Sequence, residues 1–254
     1  MAATYRQSFL RRAEKGKGGA YAHFFSRYLA IIGLGTIFSA GGAVVEHGAA
    51  WGVLQAIGMA GLITLLVIQL PTAIRAVIAF AVLGAYQFLS YKFVGDLIFT
   101  GEHGGFIGAV AWGALLILST VMIDFYSKGL KPFLISTGVL SLLSVGSIFI
   151  VDISKNRISL SYVLVSVSLS CILYLLVNLL SKVLKKPWIV SYWGENPTLF
   201  YILHLLVMGI TKIPFELMHR PRTLWLALPI NFIILAAMSL LAWQMHRKNK
   251  QFVL

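Results

Sequence analysis

Long apolar runs recur along this sequence, and they restrict its fold more than any other feature. The runs are about 18 to 25 residues long, which suits a helix that crosses roughly 30 Å of hydrocarbon at about 1.5 Å per residue. None of them shows the sustained alternation of apolar and polar residues that a membrane β-barrel requires. We therefore predict an all-α fold, a polytopic bundle of transmembrane helices that has the lipid bilayer as its partner.

The overall composition supports this class. Of the 254 residues, 59% are hydrophobic and 11% are charged, whereas soluble domains average roughly 45–50% and roughly 25%. The net charge of +13 lies in short segments between the runs, where membrane orientation explains it better than nucleic acid does. We predict no nucleic-acid partner. The one cysteine, Cys171, lies inside an apolar run, so we predict neither a disulfide framework nor a metal site.

Eight of the apolar runs are predicted to span the membrane. Prolines stand near several of their boundaries, where a missing amide hydrogen costs least. The predicted spans cover about residues 24–42, 51–69, 72–91, 106–126, 132–151, 159–181, 197–214 and 224–245. Since no internal repeat, linker or low-complexity segment interrupts them, we predict one membrane-embedded domain over residues 1–254.

The distribution of lysine and arginine predicts the orientation. If the N-terminus is cytoplasmic, 15 of the 21 basic residues fall in inside segments and 6 in outside segments. An excess of basic residues on the cytoplasmic side is the usual pattern of membrane proteins. We therefore predict that both termini are cytoplasmic, in an integral protein of the bacterial inner membrane. The sequence leaves a homo-oligomer open.

Polar side chains inside the predicted spans are candidates for function, because they cost free energy unless they are paired or face water. They are Gln55, Gln87, Asn178, His204 and Asn231. Interhelical hydrogen bonds account adequately for the two asparagines. His204 has two interpretations, either hydrogen-bonded filling near the midplane or a group that orients a ligand or takes a proton.

Asn196 and Pro197 predict the start of the seventh span, because asparagine caps free amides and proline fits the first helical position. On the predicted orientation this helix start faces the cytoplasm near Lys182, Lys185 and Lys186. The positive end of a helix beside three lysines favours an anionic phosphate ligand. A capped helix next to ordinary cytoplasmic lysines explains the pattern equally well, so both interpretations stay open.

A polar cluster lies in the segment VDISKNRISLSYVL, residues 151–164, which the orientation places outside. Its candidate ligand-binding residues are the donors Lys155, Asn156 and Arg157 and the hydroxyls Ser159 and Ser161. These groups suit a polar, anionic or sugar-like ligand, although a loop of this composition also simply faces solvent. The GEHGG segment, residues 101–105, adds Glu102 and His103 on the same side, an acid and a base within one loop.

Small residues recur at helical spacing in two of the predicted spans. Gly105, Ala109 and Gly113 follow one another every four residues, and Ala56 and Ala60 do the same. Residues four apart share one face of a helix, and small residues there let helix backbones approach closely. We predict that both stripes are helix contacts.

Four segments, taken in order, resemble the heparan-α-glucosaminide N-acetyltransferase-like membrane acyltransferases. WGVLQAIGMAGLI (51–63) resembles the Gly-Val-Leu-Gln-Arg-Ile span of that family, with Ala56 in place of the arginine. GEHGGFIGAVAWG (101–113) is similar to its Glu-Gly loop, and SKNRISLSYVL (154–164) to its Asn-Lys-Asn-Leu-Trp-Thr-Ser-Ser-Tyr segment, without the Trp. GENPTLFYILH (194–204) resembles its late Gly-x-Asn helix.

The resemblance implies an enzyme that moves an acetyl group from cytoplasmic acetyl-CoA to an amine or hydroxyl of a sugar or glycan across the membrane. The resemblance also divides the candidate residues into three groups by their implied roles. The catalytic candidates are His204, Glu102 and His103. The acetyl-CoA candidates are Asn196, Lys182, Lys185, Lys186 and Gln55, and the acceptor candidates are Lys155, Asn156, Arg157, Ser159 and Ser161.

The resemblance also implies what would precede this chain. Family members begin with a Leu-Asp-x-Leu-Arg-Gly helix and a second span, and the outside loop between them carries the histidine associated with catalysis. SFLRRAEKG (8–16) looks like the cytoplasmic loop that follows that second span. We therefore expect about two helices to be missing, in a fragment or a degenerate member. The alternatives to an active enzyme are an inactive fragment and a transporter or flippase for a polar or lipid-linked solute, although no paired helix breaks of the transporter type are visible.

Overall fold

The computed structural model of the chain describes residues 2–46, 51–92, 102–183, 189–217 and 223–250. Within these ranges the regular elements are helices and no β-strand occurs, which confirms the all-α class. Lys185 and Lys186, two of the acetyl-CoA candidates, lie outside the described residues.

The described part of the chain forms ten α-helices. They are α1 (Ala2–Ala13), α2 (Lys17–Glu46), α3 (Val53–Val67), α4 (Thr72–Lys92), α5 (Gly105–Ser127), α6 (Leu130–Ile148), α7 (Leu160–Val183), α8 (Ile189–Trp193), α9 (Pro197–Leu217) and α10 (Leu224–Arg247). A 3-10 turn, Glu102–Gly104, leads into α5.

Each predicted span falls on one helix, from α2 to α7 and then α9 and α10. Five of these helices, namely α4, α5, α6, α7 and α10, are long and apolar enough to cross a membrane. The chain is therefore an integral membrane protein in character. Because α3 has 15 residues and covers only about 22 Å, the count of eight spans stays a prediction.

The chain divides into two compact units, Met1–Leu176 and Val177–Leu254. In the first unit, α5 is the central helix, because 61% of its most apolar stretch is buried, against 22% in α4 and 28% in α6 and α7. It packs against α1, α3, α4 and α6. The core around it includes Leu83, Ile117, Phe133 and Val163, together with Cys171.

The small-residue stripes are helix contacts, with one exception. The buried members are Ala56, Ala60, Ala109 and Gly113. At Gly113 a Cβ atom would lie 2.6 Å from Cγ2 of Ile63, so α5 and α3 approach closely there. The prediction for Gly105 is wrong, because nothing lies within 4 Å of a Cβ built on it; it begins α5 with φ +57°.

The short helix α1 is held against this unit by aromatic residues. Tyr5 and Phe9 are buried, and the Tyr5 ring stacks on Phe24 of α2 at 5.2 Å between centroids. The Tyr5 hydroxyl donates a 2.8 Å hydrogen bond to the carbonyl oxygen of Gly61 in α3. Burial, reinforced by Tyr28, raises the pKa of Tyr5, so the phenol keeps the proton that it donates.

A charge network around the buried Arg75 joins α1, α4 and α5. The Arg75 side chain is fully buried, and its guanidinium donates to the Asp124 carboxylate and to Thr120 Oγ1, the latter at 2.7 Å. Thr72 Oγ1 also donates to Asp124, at 2.7 Å, and Arg6 does so at 3.3 Å. From the sequence, Arg75 counts only as one of the 15 basic residues in the predicted inside segments.

The second unit is built around the last two long helices. Phe200 of α9 packs with Ile234, Met238 and Ala242 of α10 in a small core. Trp193, at the end of α8, lies 5.3 Å from the Phe200 ring between centroids. These contacts fix the start of α9, where the predicted acetyl-CoA residue Asn196 lies.

Candidate functional site

A cavity of about 870 Å³ opens in the first unit where the end of α4 and the end of α6 meet the segment 151–160. We call it the Arg157 pocket. Its polar lining residues include Gln87, Asp152, Arg157 and Ser159, among apolar ones such as Phe88. A pocket of several hundred cubic ångströms with a few polar groups on an apolar wall has the form of a small-molecule site.

The start of α7 builds one wall of this pocket. Ser159 Oγ accepts the backbone N–H of Tyr162 at 3.3 Å, which makes Ser159 the N-cap. Gln87 of α4 accepts the N–H of Leu160 with its side-chain oxygen, at 2.9 Å. This bond explains why a polar residue, Gln87, occurs in a predicted span: its side chain satisfies a backbone amide at the start of α7.

The second predicted hydroxyl lies behind this wall. Ser161 is fully buried and donates to the backbone carbonyl oxygen of Asp152 at 2.9 Å. Its oxygen is also 3.1 Å from Ser159 Oγ. Of the five acceptor candidates, Arg157 and Ser159 line the pocket, while Lys155 and Asn156 are exposed on the adjoining turn.

Two residues near the pocket hold a backbone conformation that is rare outside glycine. Ile158 has φ +49° and is fully buried, and His103 has φ +56°. Such a conformation costs on the order of 1–3 kcal/mol and persists only where the surroundings impose it. A Cβ atom on Gly104 would lie 3.2 Å from Cγ1 of Ile158, so the two strained turns are in contact.

Hydrogen bonds fix the same two turns to the helices. The Tyr86 hydroxyl of α4 donates to the carbonyl oxygen of Arg157 at 2.7 Å. Trp112 of α5 donates its indole N–H to the carbonyl oxygen of His103 at 3.2 Å. The structure thus places the turn that contains His103 beside the segment that contains Asn156 and Arg157, as their predicted common side requires.

The chemistry of the pocket follows from its charged groups. Arg157 and Asp152 are both exposed and both line it. A guanidinium presents a planar fork of donors that matches carboxylate, phosphate and sulfate oxygens, and a carboxylate accepts from hydroxyl groups. The arrangement therefore fits a polar ligand that carries hydroxyl or acidic groups.

Gln55, predicted to bind acetyl-CoA, uses its side chain within the protein. It is 2% exposed, and its oxygen accepts the N–H of Gly52 at 3.0 Å. Its nitrogen donates to Ser39 Oγ at 3.0 Å. The predicted orientation puts the start of α3 outside, whereas the coenzyme is expected on the cytoplasmic side, so Gln55 and the coenzyme would lie on opposite sides of the membrane.

The second unit contains the remaining acetyl-CoA and catalytic candidates. As predicted, α9 begins at Pro197, and the carbonyl of Asn196 accepts the first helical bond from Phe200 at 3.1 Å. Asn196 is buried, and its amide donates to the carbonyl oxygen of Lys250 at 3.4 Å. Glu195 pairs with His246 at 2.8 Å, which puts a carboxylate next to the helix start.

His204 and Lys182 have exposed side chains in the second unit. Neither interpretation of His204 is tested by its exposure, so both stay predictions. Within the described ranges, no three His, Cys, Asp or Glu side chains are grouped as ligands for a metal ion.

No protein-family model, curated protein or solved structure matches this chain. The resemblance to the membrane acyltransferases therefore depends on the four sequence segments and stays a prediction. The residues that sequence reasoning missed are Tyr86 and Asp152, which help to form the pocket. The available signal was Gln87, a polar residue one position from Tyr86 in an apolar run.

Proposed function

We propose that this chain is the membrane domain of an acyltransferase that moves an acetyl group from acetyl-CoA to an amine or hydroxyl of a sugar or glycan. The observation that supports it is the Arg157 pocket, a cavity of about 870 Å³ that has a few polar groups on a largely apolar wall. The pocket contains two of the residues that the resemblance assigns to the acceptor, and the turn carrying His103 contacts Ile158, which stands between those two residues in the sequence.

The proposal includes the orientation. Eight spans in the bacterial inner membrane, with both termini cytoplasmic, put the Arg157 pocket on the outer side. They put the start of α9 on the cytoplasmic side, where the backbone amides that follow Asn196 and the side chain of Lys182 would meet the phosphates of the coenzyme. The positive helix end and the lysine charge favour such an anion there.

The transfer itself needs a base and an acid. The acceptor nitrogen or oxygen bonds to the acetyl carbonyl carbon, the carbon–sulfur bond breaks, the acceptor loses a proton, and the departing thiolate of CoA gains one. Glu102 and His103 are the proposed groups on the acceptor side, where one of them takes the proton from the acceptor. His204 of α9 is the proposed group on the donor side.

The first test concerns the coenzyme. We expect calorimetry on the purified chain to detect weak binding of CoA that weakens further as the salt concentration rises, because the contact is electrostatic. Lys182→Gln should weaken binding about two- to fivefold, the value of one exposed charge contact. Lys92→Gln, an exposed lysine that the orientation places outside, is the matched control and should bind normally. A folded chain that binds no CoA would remove the acyltransferase role.

The second test concerns the acceptor. In proteoliposomes supplied with acetyl-CoA and an amino sugar, Arg157→Gln should raise the KM for the acceptor at least tenfold, because a charge-assisted hydrogen bond contributes about 1.5–3 kcal/mol. The kcat should change little, since Arg157 binds the acceptor and does not react. Arg12→Gln removes an exposed arginine from α1 and should leave both constants unchanged.

Two results of this assay would contradict the assignment. If Arg157→Gln turns over the amino sugar with an unchanged KM, the pocket does not hold the acceptor. If the vesicles accumulate the sugar without acetylating it, the transporter alternative replaces the enzyme.

A further inference from the structure

An apolar groove runs along α4, α5 and α6, on three of the helices that are long enough to cross a membrane. Its volume is about 600 Å³. The walls are formed by residues such as Phe80 of α4, Met122 and Phe125 of α5, and Ile135 and Val139 of α6. We call it the α4–α6 groove. It shares no lining residue with the Arg157 pocket.

The groove has the length of one membrane leaflet. On α6 its lining begins at Lys131 and ends at Leu143, a rise of about 18 Å at 1.5 Å per residue. Half of a hydrocarbon core of roughly 30 Å is about 15 Å. The groove is therefore long enough for a lipid acyl chain that lies parallel to α6.

Positive charge is concentrated at one end of the groove. Lys131 is the one charged residue among its lining residues, and it is exposed. Lys128 is exposed as well, and its Nζ lies 5.5 Å from the centroid of the Phe125 ring, which forms part of the wall. The opposite end, near Leu143, is apolar. This asymmetry is that of a lipid, with an anionic head at one end and an apolar tail along the rest.

We propose that the α4–α6 groove binds one anionic glycerophospholipid, with an acyl chain in the groove and the phosphate between Lys128 and Lys131. The orientation predicted from the sequence puts both lysines at the cytoplasmic surface, where anionic lipids attract basic residues. The site goes beyond the acyl transfer proposed above and does not depend on it. The acyl chain of the bound lipid would pack between α4 and α6, which both lie against α5.

A second groove on the same unit provides the comparison. It has a volume of about 410 Å³ and is lined by residues such as Tyr21, Phe25, Leu62 and Leu66 from α2 and α3. Its lining residues include no lysine or arginine. The two grooves are both apolar, and the α4–α6 groove differs in having lysine at one end. A lipid held by the comparison groove should therefore show no preference for an anionic headgroup.

The test measures which lipid stays with the full chain. The protein is purified from vesicles of equal parts phosphatidylglycerol and phosphatidylcholine, and the retained lipid is quantified by native mass spectrometry. We expect the anionic lipid to be retained preferentially, and we expect the double variant Lys128→Gln/Lys131→Gln to lower that preference about 30-fold. The charge control Lys92→Gln, on exposed Lys92, should keep it.

A second pair of variants tests the groove itself. Val139→Trp places a large side chain in the groove at an exposed position, and it should abolish retention of the anionic lipid while the chain stays folded. Leu66→Trp makes the matched change in the comparison groove and should leave retention unchanged. Equal retention of the two lipids by the wild type, or undiminished retention by Val139→Trp, would overturn the proposal.

Discussion

Asp124→Asn is expected to lower the free energy of unfolding by about 3–5 kcal/mol, because it leaves a buried guanidinium without its counter-charge. The Arg75 side chain has no exposed surface, and that of Asp124 is 12% exposed. An amide can still accept a hydrogen bond from Thr72, but it cannot neutralise Arg75. Since this network joins α1, α4 and α5, the loss should affect the first unit as a whole.

Thermal and denaturant unfolding in detergent, followed by circular dichroism, measures this effect. Arg6→Gln is the matched control. It removes the partner of Asp124 that is 25% exposed and should cost at most about 1 kcal/mol. The double change Arg75→Met/Asp124→Leu should recover much of the lost stability, since apolar residues of similar volume replace buried ion pairs well. A stability of Asp124→Asn within about 1 kcal/mol of the wild type would show that water reaches the guanidinium.

The positions of the helices could be predicted from the sequence because they depend on local properties. The third predicted span, residues 72–91, is α4, Thr72–Lys92. The start of α9 at Pro197 followed from the preference of proline for the first position of a helix. The length of an apolar run and the position of a proline at its boundary are properties of one segment. They can therefore be read without knowing which helices are neighbours.

The helix α1 shows where that reasoning fell short. Its segment is basic, and no packed helix was predicted there. Tyr5 and Phe9 are four residues apart and therefore share one face of the helix. Both are buried in the structure. The spacing was visible in the sequence, but the binding of Tyr5 to Gly61 depends on a contact between residues 56 positions apart.

The candidate site was predictable only where it depends on local composition. Composition alone indicated that the segment 151–164 and the GEHGG loop are polar. It did not indicate that both serines hydrogen-bond within the protein, where Ser159 caps the start of α7 and Ser161 donates to the carbonyl oxygen of Asp152. The contact of Gln87 with Leu160 depends on which helices are neighbours, and hydrophobic periodicity carries no information about that.

Gly61→Ala should lower the free energy of unfolding by about 1–3 kcal/mol, the usual cost of an extra group in a packed contact. A Cβ atom at this position would lie 2.2 Å from Cε1 of Tyr28. That ring has no room to move, because it is buried against Tyr5, with centroids 5.3 Å apart, and near Phe24. The helices α2 and α3 must therefore separate, and the hydrogen bond from Tyr5 to the carbonyl of Gly61 must lengthen.

The same substitution at Gly138 provides the control. Gly138 lies inside α6, and nothing is within 4 Å of a Cβ built on it. Gly138→Ala should therefore be neutral or stabilise the chain by up to about 1 kcal/mol, since alanine favours a helix. Opposite or clearly unequal shifts of the unfolding midpoint would identify the close approach of α2 and α3 as the cause. Equal shifts for the two variants would mean that the Tyr28 ring yields, and that glycine at position 61 is not required for packing.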